Sequence, residues 1–133
     1  MTGEGRFYTA FLECMLWSTC YDGDPKDAEF MDEVYSFEDI EQQSADMLKD
    51  LCQEFIAKVG WDAINEHNAG QAGHDFWLTI AGHGSGFWDG DWPENGDMLA
   101  ETCEAWINDV HCYSDGEEVY CDASILTTET IKE

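Results

Sequence analysis

The charge balance is the feature of this sequence that most limits what it can fold into. Thirty aspartate and glutamate residues stand against five lysine and arginine residues, which gives a formal net charge of −25 over 133 residues. Self-repulsion of this size opposes a compact state, so a folded chain needs a large apolar core to offset it. Such a core is available, because 44% of the residues are hydrophobic and 14% are aromatic. We therefore expect a single acidic domain over residues 1–133 and not a disordered acidic tail.

The same charge balance excludes two classes of partner. Nucleic acids and anionic membranes are both held through lysine and arginine, and this chain has a single arginine, Arg6. We therefore expect no direct binding to nucleic acid and no membrane association. A partner that is selected by charge is expected to be basic, and the oligomeric state, a homodimer included, stays open.

Targeting signals and cysteine usage point to the cytoplasm. The first residues lack a basic region, the apolar stretch at 7–17 is interrupted by Glu13, and no run is long enough to span a membrane. The six cysteines are expected to be free thiols, because nothing indicates secretion. We therefore predict a cytoplasmic protein.

Hydrophobic spacing predicts three main helices. A first helix is expected at 7–20, a long one at 36–59 with Ser36 as its N-cap, and a third from about 97 to 110 with Asn95 or Asp97 as its cap. Gly60 is expected to end the long helix. A short helical piece is expected at 62–68, after which Gly70 and Gly73 are expected to break the pattern.

Two hairpins are predicted beside these helices. The segment 75–89 indicates two strands around a glycine-rich turn, and the segment 111–121 indicates two strands around a type I′ turn at Asp115 and Gly116. The predicted fold class is α+β, with about three helices packed on one face of a small antiparallel sheet that consists of the two hairpins.

The acidic residues are concentrated in two blocks. Residues 22–54 and 89–118 each carry a net charge of −10, and the segment between them carries −2. Helical spacing places carboxylates of each block opposite the apolar stripe of its predicted helix. Together with two acids from the loop before the long helix, these form the predicted partner-binding face: Asp32, Glu33, Asp39, Asp46, Asp50, Glu54, Asp97, Glu101 and Glu104.

Such carboxylate rows can imitate the phosphates of DNA. Residues four apart on a helix rise by about 6 Å, close to the spacing of roughly 7 Å between successive phosphates on one strand. Even spreading of 25 net charges over the surface of a protein this size would fall short of the charge density of duplex DNA by roughly two- to threefold. The hypothesis therefore requires both acidic blocks to share one face.

A different hypothesis centres on His74, Asp75 and His83. These residues flank the first predicted strand of 75–89 and indicate a metal or acid–base site, although the chain has neither an HEXXH nor a CXXC motif. Cys112 and Cys121 lie opposite each other in the second predicted hairpin. A buried thiol pair is favoured there over a metal site.

A resemblance rests on the central motif. The sequences Ala72-Gly73-His74-Asp75-Phe76-Trp77-Leu78-Thr79 and Gly82-His83-Gly84-Ser85-Gly86-Phe87-Trp88-Asp89 resemble a family of small phage-encoded proteins with an AGHDFWLT..GHG.GFWD core. The resemblance extends loosely over most of the chain and implies a common fold but no particular activity. Ile80-Ala81 and Gly90 stand where the family often has polar or basic residues.

Together these features predict a non-enzymatic inhibitor. A phage setting favours an acidic DNA mimic that occupies the basic DNA-binding cleft of a host defence or DNA-processing protein, by analogy of composition with known phage DNA mimics. No catalytic residue, metal ligand or cofactor is assigned in this interpretation. The alternatives are a small metal-binding protein or enzyme at His74, Asp75 and His83, and a structural or assembly protein whose acidity serves solubility or a saline environment.

Overall fold

The computed structural model describes residues 2–24, 26–64, 68–82, 86, 87, 92 and 94–123. Five α-helices and one two-stranded antiparallel sheet are formed within these residues. The helices are α1 (Gly3–Ser18), α2 (Gln42–Val59), α3 (Trp61–Ile64), α4 (Ala69–Ile80) and α5 (Gly96–Cys103), and the strands are β1 (Val110–Ser114) and β2 (Val119–Ala123). The fold is α+β as predicted, with more helices and fewer hairpins in the described part than expected.

The core is a set of aromatic rings contributed by several helices. Helix α1 lies across α4, and both predicted phenylalanines of α1, Phe7 and Phe11, are fully buried against it. The ring of Phe76 in α4 stacks on Phe55 of α2 with centroids 4.3 Å apart. Phe87 stacks on the same Phe55 ring at 5.5 Å. The first helix is confirmed, with bounds Gly3–Ser18 instead of 7–20.

The long second helix begins later than predicted. The predicted cap is wrong, because Ser36 precedes a separate 3₁₀ turn, Phe37–Asp39, and Glu41 caps α2 instead. Helix α2 ends at Val59 with Gly60 directly after it, as predicted for that end. Ile40 instead forms a bridge with Val119 of β2, and the N–H of Glu41 donates to the Val119 carbonyl at 2.9 Å. This pairing holds the chain extended where local spacing favoured helix. Neither α2 nor any other described helix is long and apolar enough to cross a membrane.

The first predicted hairpin is wrong in its first strand. Residues Asp75 to Ile80 belong to α4, and Gly70 and Gly73 lie inside this helix instead of breaking it. The helix is buried on most of its circumference: every residue from Asp75 to Ile80 is buried, and so are Ala69, Ala72 and Gly73. The glycine turn and the second strand predicted there fall largely outside the described residues.

The last predicted helix is shorter than expected and the hairpin after it is confirmed. Helix α5 ends at Cys103, a 3₁₀ turn covers Glu104–Trp106, and β1 then pairs with β2 with Cys112 opposite Cys121. The type I′ turn is wrong, because the connection has four residues, 115–118, and only Gly116 has a positive φ there. The Asp115 side chain orders this loop instead, by accepting from the N–H groups of Glu117 and Glu118.

Candidate partner-binding surface

The predicted carboxylates on α2 lie on its solvent side, where lysines accompany them. Asp46 and Asp50 are exposed, and Glu54 is partly exposed with its Oε1 3.7 Å from the Lys58 Nζ. Helix α2 also carries Lys49, so two lysines offset most of the charge of the three acids and the helix has a net charge of −1. By itself this helix face is a mixed surface and a poor copy of a phosphate row.

The predicted carboxylates near α5 adjoin α2. Asp97, Glu101 and Glu104 are exposed, and α5 packs against α2. The Lys58 ammonium lies 5.0 Å from the ring centroid of Trp106 while it also contacts Glu54, so a positive charge stands where the two elements meet. Parts of both acidic blocks are therefore adjacent, with a cation between them.

Asp39 is brought to a different position from the one predicted. It lies in the 3₁₀ turn before α2, and its Oδ2 accepts from the Ser36 N–H at 2.9 Å. Glu33 has a similar local role, because its Oε2 accepts from the Phe30 N–H at 2.8 Å. These carboxylates order the connection between α1 and α2.

Asp32 lies on the far side of α1 from α2. It lines a groove together with Glu13 and Trp17 of α1. Glu4 and Tyr8 of α1 contact α2 through hydrogen bonds with Gln53 and Ala45. Glu13 and Trp17 follow Glu4 and Tyr8 by nine residues, about two and a half helical turns, and so point the opposite way. The nine predicted residues are therefore not gathered on one face.

A second acidic region, drawn from both acidic blocks, forms where the segment 22–41 meets the hairpin. At one end of the segment the Asp22 carboxylate accepts from the N–H of Ser114 at 2.8 Å and from its hydroxyl. At the other end the N–H of Glu41 donates a hydrogen bond to the carbonyl of Val119, the residue that pairs with Ser114 across the hairpin. Both ends of this acidic segment are thus fixed beside the 115–118 loop.

We call this region the hairpin-end surface and define it by the carboxylates within a few residues of those contacts: Asp22, Asp24, Asp39, Glu41, Asp115, Glu117 and Glu118. Lys26 is the basic residue nearest to them in sequence. Sequence reasoning found Asp39 alone of this group, because the other carboxylates lie in loops where helical spacing gives no signal. Runs of acids flanking turn residues were the available signal.

Two carboxylates of the hairpin-end surface are held ionised by local hydrogen bonds. Donation from the N–H groups of Glu118 and Glu117, and from the Tyr120 hydroxyl, lowers the pKa of Asp115 below its ordinary value. The N–H of Gln43 and the N–H and hydroxyl of Ser44 similarly lower the pKa of Glu41, which caps α2. The hydrogen bond to Asp115 raises the pKa of Tyr120 to about 12. The negative charges of Asp115 and Glu41 therefore persist into mildly acidic solution.

The stabilising role of Asp115 is expected to depend on pH. A lowered pKa in the folded state means that the ionised carboxylate stabilises the fold above the unfolded value of 3.8, and that this contribution disappears as the pH falls through the lowered pKa. The wild type should therefore be more stable than Asp115→Asn by a constant difference above about pH 5, and the difference should shrink below that. Urea unfolding of both proteins across this range measures it. A difference independent of pH would contradict the assignment, and Tyr120→Phe should reduce it.

The predicted site at His74 and Asp75 is changed by the helix that carries them. His74 is partly exposed, whereas Asp75 is buried and accepts hydrogen bonds from the Trp92 Nε1 at 2.7 Å and from the Gln71 Nε2 at 3.0 Å. Within the described residues no three metal-binding side chains come together. His83 lies outside them, so a site that includes His83 stays a prediction.

The cysteines are free thiols, as predicted. Cys112 and Cys121 face each other across the hairpin with their sulfur atoms 2.9 Å apart. The hydrogen bond between the two thiols, together with burial, raises the pKa of Cys112 well above its ordinary value. Burial, with the nearby Asp75, raises the pKa of Cys14 to about 12. Cys112 and Cys14 are therefore protonated, which makes these two thiols poor nucleophiles.

Comparison with known proteins adds no relative: no family model, no curated protein and no solved structure matches this chain. The resemblance to the phage-encoded family therefore stays a prediction.

Proposed function

We propose that this protein is a DNA-mimicking inhibitor that presents its hairpin-end surface to the basic DNA-binding cleft of a host defence or DNA-processing protein. The observation that carries the proposal is the joining of two acidic stretches far apart in sequence, through the contacts of Asp22 and Glu41 with the hairpin. The resemblance to phage-encoded proteins agrees with such a role but does not establish it.

Charge density is the physical requirement for this function. The solvent-accessible surface of 7399 Å² carries 25 net negative charges, about 300 Å² for each charge. A duplex presents one charge for roughly 110 Å² when treated as a cylinder. Average density is therefore too low, and a mimic needs a region more acidic than the mean. Seven carboxylates lie in the 115–118 loop or near the two ends of the segment 22–41 that are fixed beside it. The α2 face carries two lysines among its acids, so the hairpin-end surface is the better candidate.

Electrostatic recognition makes a specific demand on binding. Exposed carboxylates attract a basic cleft over long range and are screened by salt, so binding should be fast and should weaken steeply as ionic strength rises. We expect this chain to displace a fluorescent 20-base-pair duplex from purified DNA-binding enzymes, for which a restriction endonuclease, a DNA glycosylase and a recombination nuclease are suitable probes.

Two variants of equal charge identify the surface. One removes four charges from the hairpin-end surface: Asp24→Asn, Asp39→Asn, Glu117→Gln and Glu118→Gln. The matched control removes four charges from the helices: Asp46→Asn, Asp50→Asn, Asp97→Asn and Glu101→Gln. The asparagines at 24 and 39 keep an oxygen that can accept the local backbone hydrogen bonds.

The hairpin-end variant should raise the concentration needed for displacement by at least about tenfold, and the helix variant by less than about threefold. Equal losses in the two variants would mean that net charge alone acts, and no displacement by the wild type from any probe would reject the decoy function. A loss confined to the helix variant would transfer the site to α2 and α5. Circular dichroism of each variant verifies that the fold is kept.

A further inference from the structure

A groove beside α1 has the properties of a ligand site and includes none of the carboxylates that define the hairpin-end surface. Its volume is about 500 Å³, within the range of small-molecule sites. It lies between the outer side of α1, the segment 32–37 and His74 of α4. Trp17 and Phe37 both form part of its wall and are 55% and 41% exposed, so two large aromatic side chains are accessible to a ligand at one groove.

Two residues that line the groove carry a buried polar atom without a hydrogen-bond partner. Tyr35, which lines it, is only 6% exposed, and its hydroxyl makes no hydrogen bond within the described residues. The Nδ1 atom of His74 is likewise buried without a hydrogen bond, and the nearest carboxylate, that of Asp75, is 3.6 Å away. A buried hydroxyl without a partner is destabilising, and a ligand group that reached the Tyr35 hydroxyl would supply the missing hydrogen bond.

Charge and shape together define the ligand. Glu13 and Asp32 contribute carboxylates to the groove, and none of the described residues that line it is lysine or arginine. Aromatic faces beside carboxylates are the usual surroundings of an organic cation, because ring faces and carboxylates both attract positive charge. The apolar walls favour a ligand with a flat or aliphatic body, and anions are disfavoured.

We propose that this groove binds a small organic ammonium ion with an aromatic body, held between Trp17 and Phe37 with its charge toward Glu13 and Asp32 and with a polar group at the Tyr35 hydroxyl. The site lies on the opposite side of α1 from α2 and does not depend on the decoy function. An arylalkylamine is the simplest compound with these features.

Tryptamine is the probe, with the anion indole-3-propionate and the neutral alcohol tryptophol as matched compounds. Titrations are followed by the indole N–H signal of Trp17 in nitrogen-15 NMR spectra, assigned by Trp17→Phe, and by calorimetry. Tryptamine is expected to bind at least about tenfold more tightly than tryptophol, and the anion should not bind. Equal affinity for amine and alcohol, or no shift of the Trp17 signal with the amine, would overturn the proposal.

A pair of double variants separates the groove from general acidity. Glu13→Gln with Asp32→Asn should weaken tryptamine binding by about tenfold or more, whereas Asp46→Asn with Asp50→Asn removes the same charge elsewhere and should weaken it less than about twofold. Comparable losses in the two would show that the cation is held by overall charge and reject the site. Tyr35→Phe removes the unpaired hydroxyl, so it should leave folding intact and weaken binding. Unchanged affinity in this variant would remove the hydroxyl from the site.

Discussion

Replacing Gly73 with alanine is expected to destabilise the protein by about 3 kcal/mol or more, a fall in Tm of roughly 10 °C. Gly73 is buried where α4 crosses α1. A Cβ atom at this position would overlap the Phe7 carbonyl oxygen and come within 2.9 Å of the Phe7 carbonyl carbon. Because both atoms belong to a helix backbone, neither can rotate away. The two helices would have to separate and open the aromatic core around Phe76.

Gly70 provides a matched control in the same helix. A Cβ atom there would meet nothing within 4 Å, so Gly70→Ala gains helix propensity without a clash. We expect this variant to be more stable than the wild type by about 0.5–1 kcal/mol. Thermal unfolding of the two variants and the wild type measures both effects. Similar stability of the two alanine variants would show that α1 and α4 do not approach closely at Gly73.

Helix α4 shows why the fold could be predicted only in part. Ala69, Ala72, Phe76 and Ile80 have helical spacing, but the whole run from Asp75 to Ile80 is buried, and a continuous buried run is equally typical of a buried strand. The two glycines and the run of aromatic residues favoured a strand and a turn instead. Glycine disfavours a helix by only about 1 kcal/mol, and close packing against α1 outweighs this cost. Local propensity was therefore a poor guide where a tertiary contact required a small residue.

Local patterns served better where the decisive contacts were local. The apolar face of α1, the end of α2 at Gly60 and the second hairpin were all predicted, since each depends on spacing or on a turn residue close by. The late start of α2 could not be predicted in this way, because it depends on a hydrogen bond with Val119, which is far along the chain.

The candidate surface was difficult for the same reason. Asp22 and Ser114 are 92 residues apart, and no spacing rule relates them. The acidic blocks were visible in the sequence, but which of their members would meet depended on the path of the loops.

The His74-Asp75 pair has a structural explanation in the described residues. The Asp75 carboxyl is 1% exposed, and its Oδ2 accepts two hydrogen bonds, from Trp92 and Gln71. Trp92 in turn packs edge-on against Phe87 with ring centroids 5.6 Å apart. Asp75 thus connects α4 to the segment that precedes α5, and its role in holding the fold can be tested separately from any chemistry.

Asp75→Ala is expected to cost about 3 kcal/mol, because it removes a buried acceptor and leaves the Trp92 indole N–H without a partner. Asp75→Asn keeps an acceptor oxygen and should cost less. Trp92→Phe removes the donor, so a double-mutant cycle with Asp75→Ala should give a coupling energy of roughly 1.5–3 kcal/mol in urea unfolding. Independent, additive losses would contradict the hydrogen bond. His74→Ala leaves this bond intact and should therefore cost much less than Asp75→Ala; an equal loss would mean that the two side chains stabilise the fold as one unit.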